Sequence, residues 1–236
     1  MANRFSGVHG RLLDVDLTNR THGDYVVPDD WYEQYLGGKA LAVRILWDLN
    51  PPGVDPLAPE NTLVFTTGTL TGSGAPAASR FNLSTKNLLT GGIASSNCGG
   101  DFGIHLKRAG YDGLILRGRC DAPTWLAIDE RGVRFLDARH LWGLDVEPVQ
   151  EHLPRKAGHI VIGPAGENLV RYAAIVSGER VLGRGGVGAI LGSKNLKVVT
   201  ATGSRHVHAH DPERFSKAVE RSEEHTSELQ SRSTIS

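Results

Sequence analysis

Phe102-Gly103-Ile104-His105-Leu106, running on to Leu114-Ile115-Leu116-Arg117-Gly118, matches Val187-Gly188-Ala189-Ile190-Leu191, running on at the same spacing to Val199-Thr200-Ala201-Thr202-Gly203. A double glycine precedes each copy, Gly99-Gly100 in the first and Gly185-Gly186 in the second. Each copy therefore reads as a glycine-rich loop, a short helix and a strand. Self-similarity of this kind signals duplication, and two copies are too few for a solenoid. The expected product is one domain with approximate two-fold symmetry.

The segments around the repeat mix two-residue alternation with helical periods. Arg11 to Leu17 alternates like a strand, and a polar turn over Thr18 to Gly23 leads to a second strand at Tyr25-Val26-Val27. Asp29 or Asp30 caps a helix through Trp31 and Tyr35 that ends at Gly37-Gly38; Lys39 to Leu49 continues as a helix until Pro51-Pro52 stops it. Leu63-Val64-Phe65 and Arg80 to Lys86 read as strands. Thr124 to Asp129 and Val133 to Leu136 make a hairpin about Glu130-Arg131-Gly132. His159 to Ile162 and Leu169 to Ile175 are further strands around Gly163-Pro164-Ala165-Gly166, and Asp211-Pro212 opens a helix. The predicted class is α+β: an internally duplicated, pseudo-two-fold β-sheet domain with short helices after glycine-rich loops. Residues 1–215 form that domain. Residues 216–236 hold a helix start and a tail whose Arg221-Ser222-Glu223-Glu224-His225-Thr226-Ser227-Glu228-Leu229-Gln230-Ser231 is the in-frame translation of a common sequencing-adapter oligonucleotide. We read that tail as non-native and leave it out of the fold.

Composition narrows the class. The chain has 236 residues, 39% hydrophobic and 22% charged, enough for one sizeable domain. No stretch approaches the roughly 18 apolar residues of a membrane span. The start, Met1-Ala2-Asn3-Arg4-Phe5, has no apolar secretory core, so a cytoplasmic protein is expected. Lys plus Arg and Asp plus Glu both number 26, which argues against a nucleic-acid surface. Two cysteines cannot build a disulfide framework. Glycine is the outlier, 29 residues, against an average usage of about 7%. Its clustering implies backbone that comes close to something.

A glycine loop that opens a helix suits an anion, because the first turn leaves N–H groups unpaired. Arg80 stands upstream of the first loop and Arg180 and Arg184 flank the second, so the expected ligand carries two phosphates. The competing reading is that the glycines only let helices pack tightly on a sheet. Gly183-Arg184-Gly185-Gly186-Val187-Gly188 matches the dinucleotide pattern G-x-G-x-x-G, but its context argues against a nucleotide. No strand leads straight into it, and no acidic residue follows at about 20 positions. His206, His208 and His210 read as a solvated segment rather than a metal site. Cys98 and Cys120 cannot alone ligate an iron–sulfur cluster, and no Ser-His-Asp or paired-carboxylate set stands out.

Several strings together resemble the N-terminal domain of the aldehyde ferredoxin oxidoreductase family. They are Gly10-Arg11-Leu12-Leu13-Asp14-Val15-Asp16-Leu17, Pro56-Leu57-Ala58-Pro59-Glu60-Asn61, Thr69-Leu70-Thr71-Gly72 and Arg80-Phe81-Asn82, followed by Ser96-Asn97-Cys98-Gly99-Gly100, Ala109-Gly110-Tyr111-Asp112, Ile162-Gly163-Pro164-Ala165-Gly166-Glu167-Asn168 and Gly183 to Lys197. The resemblance implies a tungsten or molybdenum bis-pyranopterin whose phosphates are joined through magnesium. It implies that Arg80 contacts the pterin, that Asn97 and Val181 offer backbone carbonyls to the magnesium, and that Gly99, Arg180, Gly183 and Arg184 line the phosphates. It further implies a four-iron–four-sulfur cluster held by C-terminal domains absent here, a small aldehyde oxidised to a carboxylic acid, and ferredoxin or a similar acceptor. A homo-oligomer is compatible with it, the fragment alone is expected to be inactive, and Cys98 receives no role. The alternatives are a family member acting on a non-aldehyde substrate, or a non-catalytic anion- or nucleotide-binding module.

Overall fold

The computed structural model describes residues 5–233, with 223–233 as backbone alone. Its first half runs β1 (Arg11–Asp16), β2 (Thr21–Val26), α1 (Asp29–Tyr35), α2 (Gly38–Leu49), β3 (Leu63–Thr67), β4 (Phe81–Lys86), β5 (Ile93–Cys98), α3 (Phe102–Arg108) and β6 (Gly113–Arg117). The second half repeats the plan. It runs β7 (Thr124–Asp129), β8 (Gly132–Asp137), a 3-10 turn (Arg139–Leu141), α4 (Val146–Glu151), β9 (Gly158–Val161), α5 (Pro164–Glu167), β10 (Ile175–Ser177), β11 (Arg180–Leu182), α6 (Val187–Ser193) and β12 (Leu196–Ala201). A final helix, α7 (Pro212–Ser233), follows.

Each half makes one six-stranded sheet, in the order β2-β1-β6-β3-β4-β5 and β8-β7-β12-β9-β10-β11. Corresponding pairs agree in direction. β1 and β6 are parallel, as are β7 and β12, while every other neighbouring pair is antiparallel. The duplication legible at the repeat thus extends through all six strands of each half, and the α+β class holds.

Alternation along the strands decides what each face buries. Leu13 and Val15 of β1, Phe65 of β3, Phe81 of β4, Phe102 of α3 and Leu114 of β6 meet Leu126, Ile160, Ile175, Val187, Ile190 and Val199 of the second half in one central core. Phe102 packs edge-on against Phe65 and Phe81, with ring centroids 6.1 and 5.3 Å away. Burying one such side chain contributes roughly 1.5–3 kcal/mol. The outer face of the first sheet (Leu12, Val64, Ile115) is covered by Tyr32 of α1 and Leu41, Ile45 and Leu46 of α2. The outer face of the second (Val161, Val198) is covered by Leu141 and Val149. The covering helices therefore obey the same pseudo-symmetry.

Several expectations change. The strand expected over Leu169 to Ile175 begins only at Ile175; Leu169 itself has φ 55° and turns the chain. β5 and β11 were not predicted, and each lies at a sheet edge. Both are polar or short, so neither carries the long apolar alternation that reveals a strand. Asp211 does cap α7, its Oδ1 accepting the Arg214 N–H at 2.9 Å, and the 215/216 boundary falls inside that helix. The last three residues of the tail, 234–236, lie outside the described residues. No helix among the described residues is long and apolar enough to cross a membrane.

Candidate functional site

The two unpredicted edge strands frame the candidate site. β5 and β11 lie side by side, yet the sheets share no ladder, so a seam runs between them. Along β5, Ala94, Ser96 and Cys98 turn inward, whereas Asn97 is exposed. Along β11, Arg180 and Val181 are exposed and Leu182 is buried in the core. Of the seven expected site residues, Gly99 is half-buried and Arg80, Asn97, Arg180, Val181, Gly183 and Arg184 are exposed. All seven gather at this seam.

Strand register shows which of them correspond. The repeat equates Gly113 with Val198. Across the first sheet, Gly113 faces Thr66, Thr66 faces Asn82, and Asn82 faces Asn97. Across the second, Val198 faces Val161, Val161 faces Val176, and Val176 faces Val181. Asn97 and Val181 are therefore pseudo-symmetry equivalents. Two residues further on, so are Gly99 and Gly183; one residue back, so are Ser96 and Arg180.

Contacts across the seam follow the same dyad. A Cβ on Gly99 would stand 3.9 Å from Arg180 Cγ, and one on Gly100 would stand 3.1 Å from Ser177 Oγ. One residue along from the mirrored positions, the Arg184 N–H donates to Ser96 Oγ at 3.2 Å, and a Cβ on Gly185 would meet Ala94 Cβ at 2.6 Å. Each patch contacts the other's counterpart, as in an isologous dimer interface.

Three arginines, Arg80, Arg180 and Arg184, stand at the seam, with Asp101 and Glu179 beside Arg180. Arg80 Nη1 donates to Asn97 Oδ1 at 2.9 Å. Burial pushes the Cys98 thiol up to about 11, although the Arg80 and Arg180 guanidiniums pull it down. Cys98 is thus a protonated, packed thiol whose Sγ–H donates to Gly99 O, and burial raises Cys120 too. Two clefts open along the seam. One of about 210 Å³ is lined by Gly100, Asp101, His159, Ser177, Glu179 and Arg180. The other, about 420 Å³, is lined by Lys39, Asn87, Ile93, Ser95, Arg184 and Gly185. A larger, mainly apolar groove of about 700 Å³ lies by Trp47, Pro51 and Pro52 and includes none of the seven.

The glycines divide between the two readings the sequence allowed. Gly103 and Gly188 serve packing: an added Cβ would lie 3.0 Å from Phe81 Cβ and 2.4 Å from Ala174 O respectively. Gly99 and Gly183 meet nothing closer than 3.6 Å and leave their backbone approachable. The fingerprint also needs correction, since β11 leads straight into Gly183. β11 is an edge strand antiparallel to β10 and lies far from β12 in the sheet, so no parallel βαβ unit forms. His206 and His208 are exposed, their rings 6.3 Å apart, and no cluster of potential metal ligands occurs among the described residues. The sequence reading missed Ser96 and Ser177, which only the seam geometry singles out.

A sequence model described as "Aldehyde ferredoxin oxidoreductase, N-terminal domain" matches residues 12–203. The chain belongs to the aldehyde ferredoxin oxidoreductase family. Tungsten-containing aldehyde ferredoxin oxidoreductases of Pyrococcus abyssi and Pyrococcus furiosus are 41% and 40% identical to it, each over 90% of this chain and 36% of the relative. An aliphatic sulfonate oxidoreductase, WOR-like subunit, of Pyrococcus furiosus is 36% identical over 83% of this chain and 34% of its own length. The active-site complex BamBC of benzoyl coenzyme A reductase superposes with a TM-score of 0.85 at 38% identity, covering 90% of this chain and 33% of that one. The chain thus spans about a third of the length of these family members.

Proposed function

We propose that this chain is the cofactor-binding N-terminal domain of an aldehyde:ferredoxin oxidoreductase-like enzyme, and that the β5/β11 seam cradles the phosphates of a tungsten or molybdenum bis-pyranopterin. One observation carries the reading. The residues expected to meet the two halves of such a cofactor are themselves pseudo-symmetric pairs, Asn97 with Val181 and Gly99 with Gly183. A ligand with two like phosphorylated ends, joined through one magnesium ion, fits a surface built on the same dyad.

In this reading the Asn97 and Val181 backbone carbonyls hold magnesium, a hard cation that takes oxygen ligands. Gly99 and Gly183 let phosphate reach the main chain, Arg180 and Arg184 supply charge-assisted hydrogen bonds, and Arg80 bears on the pterin. When bound, the metal centre supplies the two-electron oxidation of an aldehyde and water to a carboxylic acid, with electrons leaving through a four-iron–four-sulfur cluster to ferredoxin. Cys98 and Cys120 are two buried cysteines where such a cluster takes four thiolates, so in this reading its ligands lie outside this chain. The fragment alone is then inactive.

The test is elemental and cofactor analysis of the protein purified with its downstream coding sequence restored. Tungsten or molybdenum with two pterin phosphates per metal is expected. A preparation without metal and without pterin overturns the assignment. The sulfonate and benzoyl coenzyme A relatives favour a second reading, in which the same cradle serves a non-aldehyde substrate. Substrate screening of the same preparation separates the two.

A further inference from the structure

Arg80 ends a long Gly/Thr/Pro loop that begins at Gly68, and nothing in the loop's composition would fix its last residue in space. The structure ties it down from beneath. Lys107 of α3 is fully buried; its Nζ lies 2.8 Å from Asp112 Oδ1 and donates to Gly68 O at 3.2 Å. Asp112 is 2% exposed and also accepts the Tyr32 hydroxyl at 2.7 Å and the N–H groups of His9 and Gly10, both at 2.8 Å to Oδ2. Its carbonyl accepts both the N–H and the hydroxyl of Thr67 at 2.9 Å. The root of the loop is therefore bolted to a buried charge.

Thr71, itself buried, passes that constraint to the other end. Its Oγ1 accepts the Gly68 N–H at 3.1 Å and donates to Arg80 O at 3.4 Å. The Arg80 guanidinium then reaches Asn97 Oδ1. The stem of Lys107 also packs beneath Gly72, where an added Cβ would lie 3.6 Å from Lys107 Cγ. We infer that Lys107, held by Asp112, is a positioning residue for Arg80, acting through Gly68 and Thr71. The inference rests on the proposed reading of Arg80 as a ligand contact.

A double-mutant cycle separates positioning from mere stability. Isothermal titration of the 236-residue chain with a pterin monophosphate and magnesium reads the affinity of the seam, the pterin ring reporting on Arg80. Arg80→Gln is expected to weaken binding about fivefold to tenfold. Thr71→Val, which leaves the Lys107–Asp112 pair in place, is expected to weaken it by a similar factor, and the double variant to bind no worse than Arg80→Gln alone. Lys107→Met should behave like Thr71→Val, with Lys107→Arg recovering part of the loss. Losses that multiply in the double variant, or wild-type affinity in Thr71→Val and Lys107→Met, overturn the inference while leaving Arg80 a ligand contact. Wild-type affinity in Arg80→Gln, or no binding by the wild-type chain, overturns the reading beneath it as well.

Discussion

Two buried ion pairs share one corresponding position of the halves, which carries opposite charges and draws its partner from different helices. Asp112, at the foot of β6, pairs with Lys107; its counterpart at the foot of β12 is Lys197, which pairs with Glu167. Lys197 also donates to Leu144 O at 2.8 Å, and Glu167 accepts the Gly143 N–H at 2.8 Å. Burial alone would raise the Asp112 carboxyl, but the Lys107 charge and the hydrogen bonds of Lys107, Tyr32 and His9 hold it below the ordinary range. Breaking such a pair leaves an uncompensated buried charge, so Asp112→Asn is expected to lose about 3–5 kcal/mol in urea unfolding. Lys194 has no such partner. It is fully buried and donates to Pro59 O at 3.0 Å and Gly118 O at 2.9 Å, and burial together with nearby Arg119 lowers its pKa to about 7. The unfolded chain keeps that proton up to pH 10.5, so between about pH 7 and 10.5 the unfolded state binds more protons and stability rises with pH. Cys98 acts in the opposite sense only above its unfolded value of 9.0. Thermal melts from pH 7 to 9 should therefore climb for the wild type, and Lys194→Met should remove the slope that Lys194 contributes.

At the level of elements, glycines that look alike in the sequence do different work. A Cβ on Gly188 would strike Ala174 O at 2.4 Å, and one on Gly192 would strike Gly166 O at 2.0 Å, both backbone atoms that cannot swing aside. Gly188→Ala is expected to destabilise by about 1–3 kcal/mol, as overpacked cores do. Gly183→Ala, with Val181 Cγ2 at 3.6 Å as its nearest neighbour, should stay within about 0.5 kcal/mol of the wild type in the same denaturation assay. The sequence could not draw that distinction, because a loop glycine's role depends on which backbone arrives from a distant element. What it did show was the helix–strand repeat, since α3 with β6 and α6 with β12 carry apolar patterns strong enough to align. β5 and β11 stayed hidden: Ile93–Cys98 holds two serines and an asparagine, and Arg180–Leu182 is three residues long. The seven expected site residues were named one by one through family resemblance, and they gather at one seam. Their pairing, Asn97 with Val181, required strand register.

For the whole molecule, each half is half of a sandwich. The core is one cluster drawn from both sheets, β5 touches β11 at one edge, and β2 touches β8 at the other. The crossover between halves is the short stretch from Gly118 to Pro123, where Lys194 reaches back to Pro59 and Gly118. A polypeptide cut to residues 1–120 would expose the inner face of its sheet. It should fail to give a folded monomer, which size-exclusion chromatography and circular dichroism would register as self-association or loss of structure.

Joining the halves in one chain also frees them from identity. Strand register sets Arg80 opposite Ala174 and Ser96 opposite Arg180, so the two ends of a symmetric ligand would meet different side chains. A true homodimer must repeat every substitution on both sides of its axis and cannot offer one arginine to one end alone. Fusion lifts that requirement. The dyad gives the seam its shape, and the broken dyad would give a twin-headed ligand a front and a back.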